Sequence, residues 1–367
     1  MSILFYIFIS FFVATYFFML LKDSPLVKIT GIILASILFY ILLFNVTDNS
    51  DWGPYEDMFY GNKDSSDFLF NYLSNLFYKN RLDYSNLYQL HIALMGIGFI
   101  YFASRFNFSA VFSVITIYLM LQLIPLSNQI RYYVAFAFFL ISAYNFIVTK
   151  NYIIFAIFAT ISFLSHSGIL FMYPFIYLYY SIDSDIFLKK MIVFSLITGM
   201  SLYILVKIDF NFSNNLDFYL DSENVSSFMG GVYNILIWVF WLIYIYFNNK
   251  KLTMSSSYFL YSDVKYQFLY KLSLYSIIFI PIGLSIQIFA HRYVFASIII
   301  WLSYIFYALE YENDLFQRIR SIIIFFLIVI ASLFYVYILP TFVFGTSGTE
   351  LVEELFMSNT TLLSILR

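Results

Sequence analysis

Long apolar runs separated by short polar connections extend along almost the whole chain, and most have the length of a membrane-spanning helix. A helix needs about 20 mostly apolar residues to cross a bilayer, or about 17 at the short limit. Ten runs meet this requirement, at residues 2–21, 29–46, 86–103, 109–126, 130–148, 190–207, 231–247, 267–289, 292–309 and 320–340. The first lacks the basic start and cleavage site of a signal peptide, so we expect it to remain as a helix. The pattern predicts an all-α fold, a polytopic integral membrane helix bundle.

The apolar run at 151–180 does not fit this scheme. It is too long for one upright helix and too short for two full ones, and Ser165–Gly168 interrupts it. Because lysine and arginine in short loops favour the cytoplasm, Lys150 and Lys189 should share a side, and the run then crosses an even number of times. We predict a broken or re-entrant pair around Ser165–Gly168, which gives about 11–12 membrane segments with both termini outside. The alternative is one long tilted helix that leaves Lys189 outside.

The polar connections define the predicted domain organisation. No repeat or low-complexity linker divides the chain, so we predict a single transmembrane domain over residues 1–367. Its outer loops cover about 47–85 and 209–230, and a tail follows at 342–367. The loop at 209–230 is acidic and aromatic, a composition that suits sugars but is also typical of a membrane-interface belt.

Apolar residues recur at helical spacing within the first outer loop. This spacing predicts an interfacial amphipathic helix with Asp67 near its N-terminus. Its predicted apolar row is Phe68, Leu69, Tyr72, Leu73, Leu76 and Phe77, and the residues facing away are Asn71, Ser74, Asn75, Tyr78 and Lys79. The helix is either a plug over the bundle or one wall of a lipid-facing substrate groove.

Composition narrows the class of protein and of site. The chain is 62% hydrophobic and 11% charged, whereas a soluble domain carries about 25% charged residues. A net charge of −2 argues against a nucleic-acid partner. The absence of cysteine excludes disulfides and thiolate metal sites, and three histidines are a thin supply for a metal cage. Glycine-rich phosphate loops and metal-ligand spacings are missing as well, so we predict neither a cofactor nor a metal.

Three polar features interrupt the apolar sequence, and the predicted topology puts all of them on the outer face. They are Asn128–Gln129 with Arg131, Ser165–Gly168 with His166, and His291–Arg292–Tyr293. Ionisable residues in such sequence are costly to place and are therefore the first candidates for function. Their convergence predicts one outward-facing site, and His91 opens a span on the same face.

Arg131 and His166 each have a structural and a functional interpretation. Asn128, Ala135, Ser142 and Thr149 repeat every seven residues, which indicates a helix face packed against protein rather than lipid. Arg131 then either snorkels to the headgroups or binds phosphate with its planar fork of donors. His166 is either satisfied by backbone carbonyls or takes a proton from a sugar hydroxyl.

An ordered set of short motifs resembles a known family. Asp51–Trp52 with Tyr55 follows the second span, and Asn128–Gln129–x–Arg131 with Ala135 opens a later helix. His166–Ser167 interrupts the next apolar run, and Arg292–Tyr293 comes late in the chain. Over about residues 40–310, this set resembles the EpsG-type, Wzy-like polysaccharide polymerases of bacterial envelopes, the makers of O-antigen, capsule or exopolysaccharide.

The resemblance implies a multi-pass glycosyltransferase of the bacterial inner (cytoplasmic) membrane, with its active site on the periplasmic or extracytoplasmic face. Donor and acceptor would be oligosaccharides on undecaprenyl diphosphate, and a chain-length regulator protein is a candidate partner. By likeness to O-antigen ligases, Arg131 and Arg292 would bind the diphosphate, and His166 would lie at the acceptor hydroxyl or act as base. The implied substrate-binding residues are Asn128, Gln129, His291, Tyr293, Asp51, Trp52, Tyr55 and His91.

Other functions fit a polytopic chain with buried arginines. A transporter or flippase of lipid-linked sugars is usually built from repeated halves with a midplane site, whereas the polar features here gather at one face. A membrane acyltransferase that modifies sugars, and an O-antigen-ligase-like glycosyltransferase that attaches finished chains elsewhere, also remain open.

Overall fold

The computed structural model describes residues 13–15, 24–61, 67–106, 110–208, 228–286, 289–312, 314–344 and 348–366. Every regular element in these ranges is a helix, and an isolated bridge pairs the extended backbone of Val46 with that of Asn359. Most of the predicted first span at 2–21 and most of the predicted loop at 209–230 lie outside the described residues.

The described residues form helices within the predicted apolar runs and also in the first outer loop and the tail. These helices are α1 Pro25–Phe39, α2 Trp52–Phe59, α3 Phe68–Lys79, α4 Tyr84–Ala103, α5 Val111–Asn128, α6 Ile130–Ile147, α7 Tyr152–Ser165, α8 Pro174–Ser181, α9 Ser184–Ile208, α10 Phe228–Ser262, α11 Val264–Tyr275, α12 Ile280–Ser285, α13 Ile298–Leu309, α14 Leu315–Leu333, α15 Leu339–Phe344, α16 Gly348–Met357 and α17 Thr360–Leu366. Short 3₁₀ segments occur at Ser167–Met172 and Ser276–Phe279, and π turns at Tyr40–Phe44, Ala290–Phe295 and Phe334–Ile338.

Eight helical segments among the described residues are long and apolar enough to cross a membrane. They are Pro25–Phe44, Tyr84–Ala103, Val111–Asn128, Ile130–Ile147, Gly230–Met254, Val264–Ser285, Arg292–Leu309 and Leu315–Phe342. Each coincides with a predicted span, so the all-α, polytopic membrane bundle is confirmed. The total of about 11–12 membrane segments and the re-entrant path stay predictions.

The chain forms two compact units. The first contains residues 1–174 and 329–367, and the second contains residues 175–328. The single transmembrane domain predicted over residues 1–367 stays a prediction.

Helix α6 forms the centre of the first unit and packs mainly on α7 and α4. Two members of the predicted stripe, Ala135 and Ser142, face α7 and the segment that follows it. Ser162 Oγ donates to the Ala135 carbonyl at 2.7 Å, and Ser142 Oγ lies 3.3 Å from the Tyr173 hydroxyl. On the α4 side, a Cβ added to Gly98 would come within 2.7 Å of the Ala137 Cβ. Small residues therefore let the three helices approach closely, as expected inside a membrane.

A short non-helical link separates α5 from α6 and directs Arg131 to the end of the bundle. Pro125 has no N–H for the Leu121 carbonyl, which instead accepts from the Gln122 side-chain amide at 3.0 Å. Gln129 has φ −96° and ψ 49°, so it ends α5, and α6 begins at the next residue. Arg131 thus occupies the first turn of α6.

The predicted interruption of the run at 151–180 is confirmed at His166. Helix α7 ends there because His166 adopts an extended conformation, with φ −163° and ψ 115°. The chain continues as the 3₁₀ segment Ser167–Met172, and Pro174 then starts α8. The break places the imidazole at the end of α7 rather than on its side.

The C-terminal segment of α16 and α17 is fastened to the end of α1 through Asn359. The π turn Tyr40–Phe44 leaves carbonyls without helical partners, and Asn359 Nδ2 donates to those of Ile41 and Leu42 at 2.9 and 3.1 Å. Asn359 Oδ1 accepts from the Leu362 N–H at 2.9 Å, and the Thr360 N–H donates to the Asn45 carbonyl at 3.2 Å. This fully buried amide therefore fixes the tail against the start of the first outer loop.

We expect Asn359→Ala to destabilise the first unit by about 1–3 kcal/mol, since buried acceptors that lose a donor cost about this much. A lower thermal unfolding midpoint of the detergent-solubilised protein, followed by tryptophan fluorescence, would show the effect. The matched control is Ser364→Ala, which removes an exposed hydroxyl in the same segment. Equal midpoints for the two variants would contradict this role of Asn359.

The second unit has an aromatic core around Trp301. Trp238 and Trp241 lie 6.3 and 6.2 Å from the Trp301 ring, and all three are buried. Lys271, within α11, donates from Nζ to the Tyr179 and Ile182 carbonyls at 3.0 and 2.6 Å. A lysine ammonium thus caps the C-terminus of α8, which is the end of a helix that favours a positive charge.

Candidate active site

Asp67 joins Arg131 and His166 in the first unit. Arg131 Nη1 forms an ion pair with Asp67 Oδ2 at 2.8 Å, and His166 Nδ1 lies 3.1 Å from Asp67 Oδ1. The Ser167 backbone N–H also donates to this carboxylate. Three segments that are far apart in the sequence, the residue before α3, the first turn of α6 and the end of α7, therefore meet at one carboxyl group.

The exposure of the three side chains gives the cluster an inner and an outer side. The Asp67 side chain is 1% exposed, whereas those of Arg131 and His166 are 15% and 13% exposed. The carboxylate is therefore the most deeply buried of the three groups, and the Nε atom of Arg131 and the Nε2 atom of His166 are buried as well.

Asp67 is ionised within the cluster. Burial by itself would raise the pKa of Asp67, but the hydrogen bond from His166 and the charges of His166 and Arg131 outweigh burial and hold the pKa below the ordinary value of 3.8. The carboxylate therefore carries its negative charge at neutral pH and compensates Arg131.

The ionised carboxylate also fixes the tautomer of His166. A carboxylate can only accept hydrogen bonds, so the Nδ1 atom 3.1 Å away must carry a proton. In the neutral imidazole the lone pair is then on Nε2. This is the arrangement in which a histidine can accept a proton from a hydroxyl group, with the carboxylate stabilising the imidazolium that forms.

Aromatic rings surround Arg131 and His166. The Arg131 guanidinium carbon lies 4.7 Å from the Tyr55 ring centre and 5.2 Å from that of Phe70. The Tyr132 ring packs edge-on against the His166 ring at 5.6 Å. These rings hold the guanidinium plane and the imidazole in place and favour the positive charge of Arg131.

Helix α3 brings Asp67 and Phe70 to the cluster, and its orientation differs from the prediction. The face that packs on the bundle contains Asp67, Phe70 and Ser74, all of them buried, although Ser74 was predicted to face away. The predicted apolar row is divided, since Phe68, Tyr72 and Leu76 are exposed whereas Leu69, Leu73 and Phe77 are half-buried. The exposed residues suit contact with lipid at the interface, and the buried face is where the ion pairs form.

The role of Asp67 was missed by the sequence analysis, which placed it only near a helix start. An acid at that position is usually an N-cap whose side chain accepts from the first turn. Asp67 occupies the N-cap position of α3 but makes no such bond, because its carboxylate accepts from His166 and Ser167 and pairs with the charge of Arg131 instead. No local signal in the sequence distinguishes these two uses.

The residues of the first loop and the α5–α6 link lie close to this cluster in the sequence, and their contacts are mostly with protein. Trp52 packs on Tyr84 and Tyr88 at 4.7 and 5.2 Å between ring centres. Asn128 Nδ2 donates to Ser50 Oγ at 2.6 Å, which ties the link to the loop. Gln129 has a buried Oε1 without a hydrogen-bond partner among the described residues.

Asp51 and His91 are the other two substrate-binding residues predicted from this loop and α4. Asp51 is the N-cap residue of α2 without a side-chain capping bond. His91 is buried in α4, with Nδ1 2.8 Å from the Leu87 carbonyl and its ring 5.7 Å from Phe70. The substrate contacts predicted for Asp51, Trp52, Tyr55, His91, Asn128 and Gln129 stay predictions.

The third predicted feature lies in the second unit. His291, Arg292 and Tyr293 belong to the π turn Ala290–Phe295. The Tyr293 ring is buried and stacks on Phe279 at 4.5 Å and Phe289 at 5.5 Å between centres. The predicted roles of His291, Arg292 and Tyr293 in a shared site stay predictions. Within the ranges that the structure describes, no group of three or more metal-ligating side chains converges.

Because Asp67 is ionised in the folded protein, we expect part of the free energy of unfolding to be lost at acidic pH. A carboxyl group with a lowered folded pKa contributes stability that is fully present above its unfolded value, ordinarily 3.8, and is lost as the pH falls through the folded value. We expect detergent-solubilised wild type to unfold at a higher temperature than Asp67→Asn at neutral pH. The two unfolding midpoints should approach each other below pH 3.8, and a pH-independent difference would contradict the ionised state.

Comparison with known proteins agrees with the resemblance seen in the sequence. No curated protein and no solved structure matches the chain. The family model described as the EpsG family does match, over residues 28–347. This range contains Asp67, Arg131, His166 and Arg292 and covers most of the chain, which is therefore a member of the EpsG family.

Proposed function

We propose that this protein is a polysaccharide repeat-unit polymerase that transfers a growing glycan from undecaprenyl diphosphate to a lipid-linked acceptor unit. Membership of the EpsG family assigns a polysaccharide-polymerase type of role in general terms. The observation that supports the specific reaction is the Asp67 cluster, because it sets a fixed cation beside an oriented imidazole.

In this reaction His166 acts as the general base. Its Nε2 takes the proton of an acceptor hydroxyl as the hydroxyl oxygen attacks the anomeric carbon of the donor sugar. The glycosidic carbon–oxygen bond to the lipid diphosphate breaks, and the diphosphate leaves with the bonding electron pair. Asp67 stabilises the imidazolium that forms. Proton transfer by a positioned base typically contributes about 10²–10⁴-fold in rate.

Arg131 stabilises the leaving group. Negative charge develops on the diphosphate as the bond breaks, and fixed donors aimed at developing charge give the largest electrostatic stabilisation. The guanidinium pairs with Asp67 through Nη1, and its planar fork of N–H donors suits phosphate oxygens.

The exposed apolar residues of α3 support a substrate with a lipid tail. Phe68 and Tyr72 are exposed at the helix end that carries Asp67, and Leu76 is exposed further along the helix. A lipid-linked substrate has to present its diphosphate at the membrane boundary while its tail stays in the bilayer. The site would then lie at the extracytoplasmic face of the bacterial cytoplasmic membrane.

A deletion strain tests the proposed function through the size of the product. Loss of a polymerase should abolish long polymer and leave single repeat units exposed outside the cell. A flippase defect would trap lipid-linked units inside, and a ligase defect would leave long polymer on the lipid carrier. Either of these two outcomes would overturn the proposal.

A further inference from the structure

A polar hollow lies in the first unit between the first outer loop, the end of α5 and the C-terminal helix α16. Its volume is about 260 Å³. Asn49, Ser50 and Asn128 line one side, and Glu354 and Ser358 line the other. None of the roles derived above uses α16, although this helix forms one wall of the hollow.

The lining indicates the chemical class of the ligand. Asp48 and Glu354 bring carboxylate groups to it, and both residues are exposed. Leu351 and Leu355 add aliphatic surface, and no lysine or arginine lines the hollow. Carboxylates accept hydrogen bonds with both oxygens, so they suit neighbouring hydroxyl groups, whereas a phosphate would be repelled.

We propose that this hollow binds one neutral sugar unit of the glycan substrate through hydroxyl donation to Glu354 and Asp48. Its alternation of hydroxyl acceptors with aliphatic side chains matches a sugar ring, which carries hydroxyls at its rim and C–H groups on its faces. The proposal rests on the polymerase function proposed above and identifies a glycan subsite of that function.

The position of the hollow relative to the Asp67 cluster supports this assignment. Asn128 lines the hollow, and Arg131 follows three residues later in the chain. Three residues span at most about 11 Å even when fully extended. A glycan chain with one unit in the hollow can therefore place a neighbouring unit beside Arg131 and His166.

The two walls of the hollow come from different parts of the chain. The loop and α5 wall lies within residues 28–347, which match the EpsG family, and the α16 wall lies after them. The Thr47 N–H donates to the Ser358 carbonyl at 3.1 Å, and Ser358 Oγ donates to the Asp48 carbonyl at 2.8 Å, so the walls are held together. The α16 wall is thus placed to select which sugar unit the enzyme accepts.

A binding measurement on the full chain tests the subsite. The probe is the lipid-free repeat-unit oligosaccharide, released by mild acid from the material that accumulates in the deletion strain. We expect detergent-solubilised wild type to bind it and Glu354→Gln to bind it about tenfold or more weakly, since hydrogen bonds to charged groups have this strength. The matched control Glu353→Gln removes the same charge from the adjacent residue, which does not line the hollow, and should bind as wild type does.

Polymerisation assays separate this proposal from the proposed function. Glu354→Gln should raise KM for the acceptor about tenfold with kcat within about twofold, because the subsite acts in binding and not on the reacting bond. Wild-type turnover with unchanged KM in Glu354→Gln would overturn the subsite and leave the polymerase standing. Sugar binding that depends on Glu354 in a protein without polymerase activity would support the hollow as a sugar site while overturning the polymerase. Calcium binding without sugar binding would overturn the subsite.

Discussion

Arg131→Ala should lower chain polymerisation by at least about 100-fold while the protein remains folded in the membrane. Removing one preorganised donor from developing negative charge typically costs about 10²–10³ in kcat. The change also leaves Asp67 without its guanidinium partner at 2.8 Å, so the carboxylate that orients His166 loses its charge compensation. The measurement is the rate of polymer-ladder formation in membranes with equal amounts of variant and wild-type protein.

Two further variants make this result specific. Arg131→Lys keeps the charge but loses the planar fork and should recover only part of the activity. Arg105→Ala is the matched control. The Arg105 guanidinium also stacks on a tyrosine, Tyr101, at 4.1 Å, but Arg105 follows the C-terminal end of α4, whereas the first outer loop and Asp67 precede its N-terminal end. Near-normal ladders in Arg131→Ala, or an equal loss in Arg105→Ala, would remove Arg131 from the reaction.

Asp67→Asn should lower the polymerisation rate by about 10²–10⁴-fold, the range of a lost general base. An amide can donate to His166 Nδ1 and so favours the tautomer with its proton on Nε2, where the base needs its lone pair. The variant keeps the shape of the side chain, so the loss should appear in kcat with the protein still folded. Glu56→Gln changes a carboxylate of the neighbouring helix α2 and should leave the rate unchanged.

A double variant tests whether Asp67 acts through His166. If the two residues work as one unit, Asp67→Asn combined with His166→Ala should be no slower than His166→Ala alone, because effects of such residues are not additive. Losses that multiply would mean that Asp67 acts independently of the imidazole, for example only through Arg131.

The fold was largely predictable because an apolar run of spanning length is a local property of the chain. Pro25–Phe44 and Ile130–Ile147 begin and end close to the predicted runs. The break at His166 was also predictable, since a run of intermediate length with Ser165–Gly168 in its middle leaves few alternatives. The buried face of α3 was not predictable, because it combines Asp67 and Ser74 with Phe70 and so does not follow the row of apolar residues.

The candidate site was predictable only in part, for a related reason. Arg131 and His166 stand out because charge and imidazole are costly in apolar sequence. Asp67 lies in a polar loop, where a charged side chain can stay in water and no desolvation cost marks it out. Its position before a helix also has an ordinary explanation as a helix cap. Only the tertiary structure shows that its carboxylate accepts from a histidine 99 residues later in the sequence.

That sequence separation has a consequence for biogenesis. Asp67 is synthesised well before its two partners, so its carboxylate cannot meet both of them until the chain has been made as far as His166. The ion pairs can form only after α6 and α7 have been made and α3 has docked on them. Assembly of the Asp67 cluster is therefore a late maturation step, and we expect a chain truncated before α7 to insert but to leave α3 accessible to proteases.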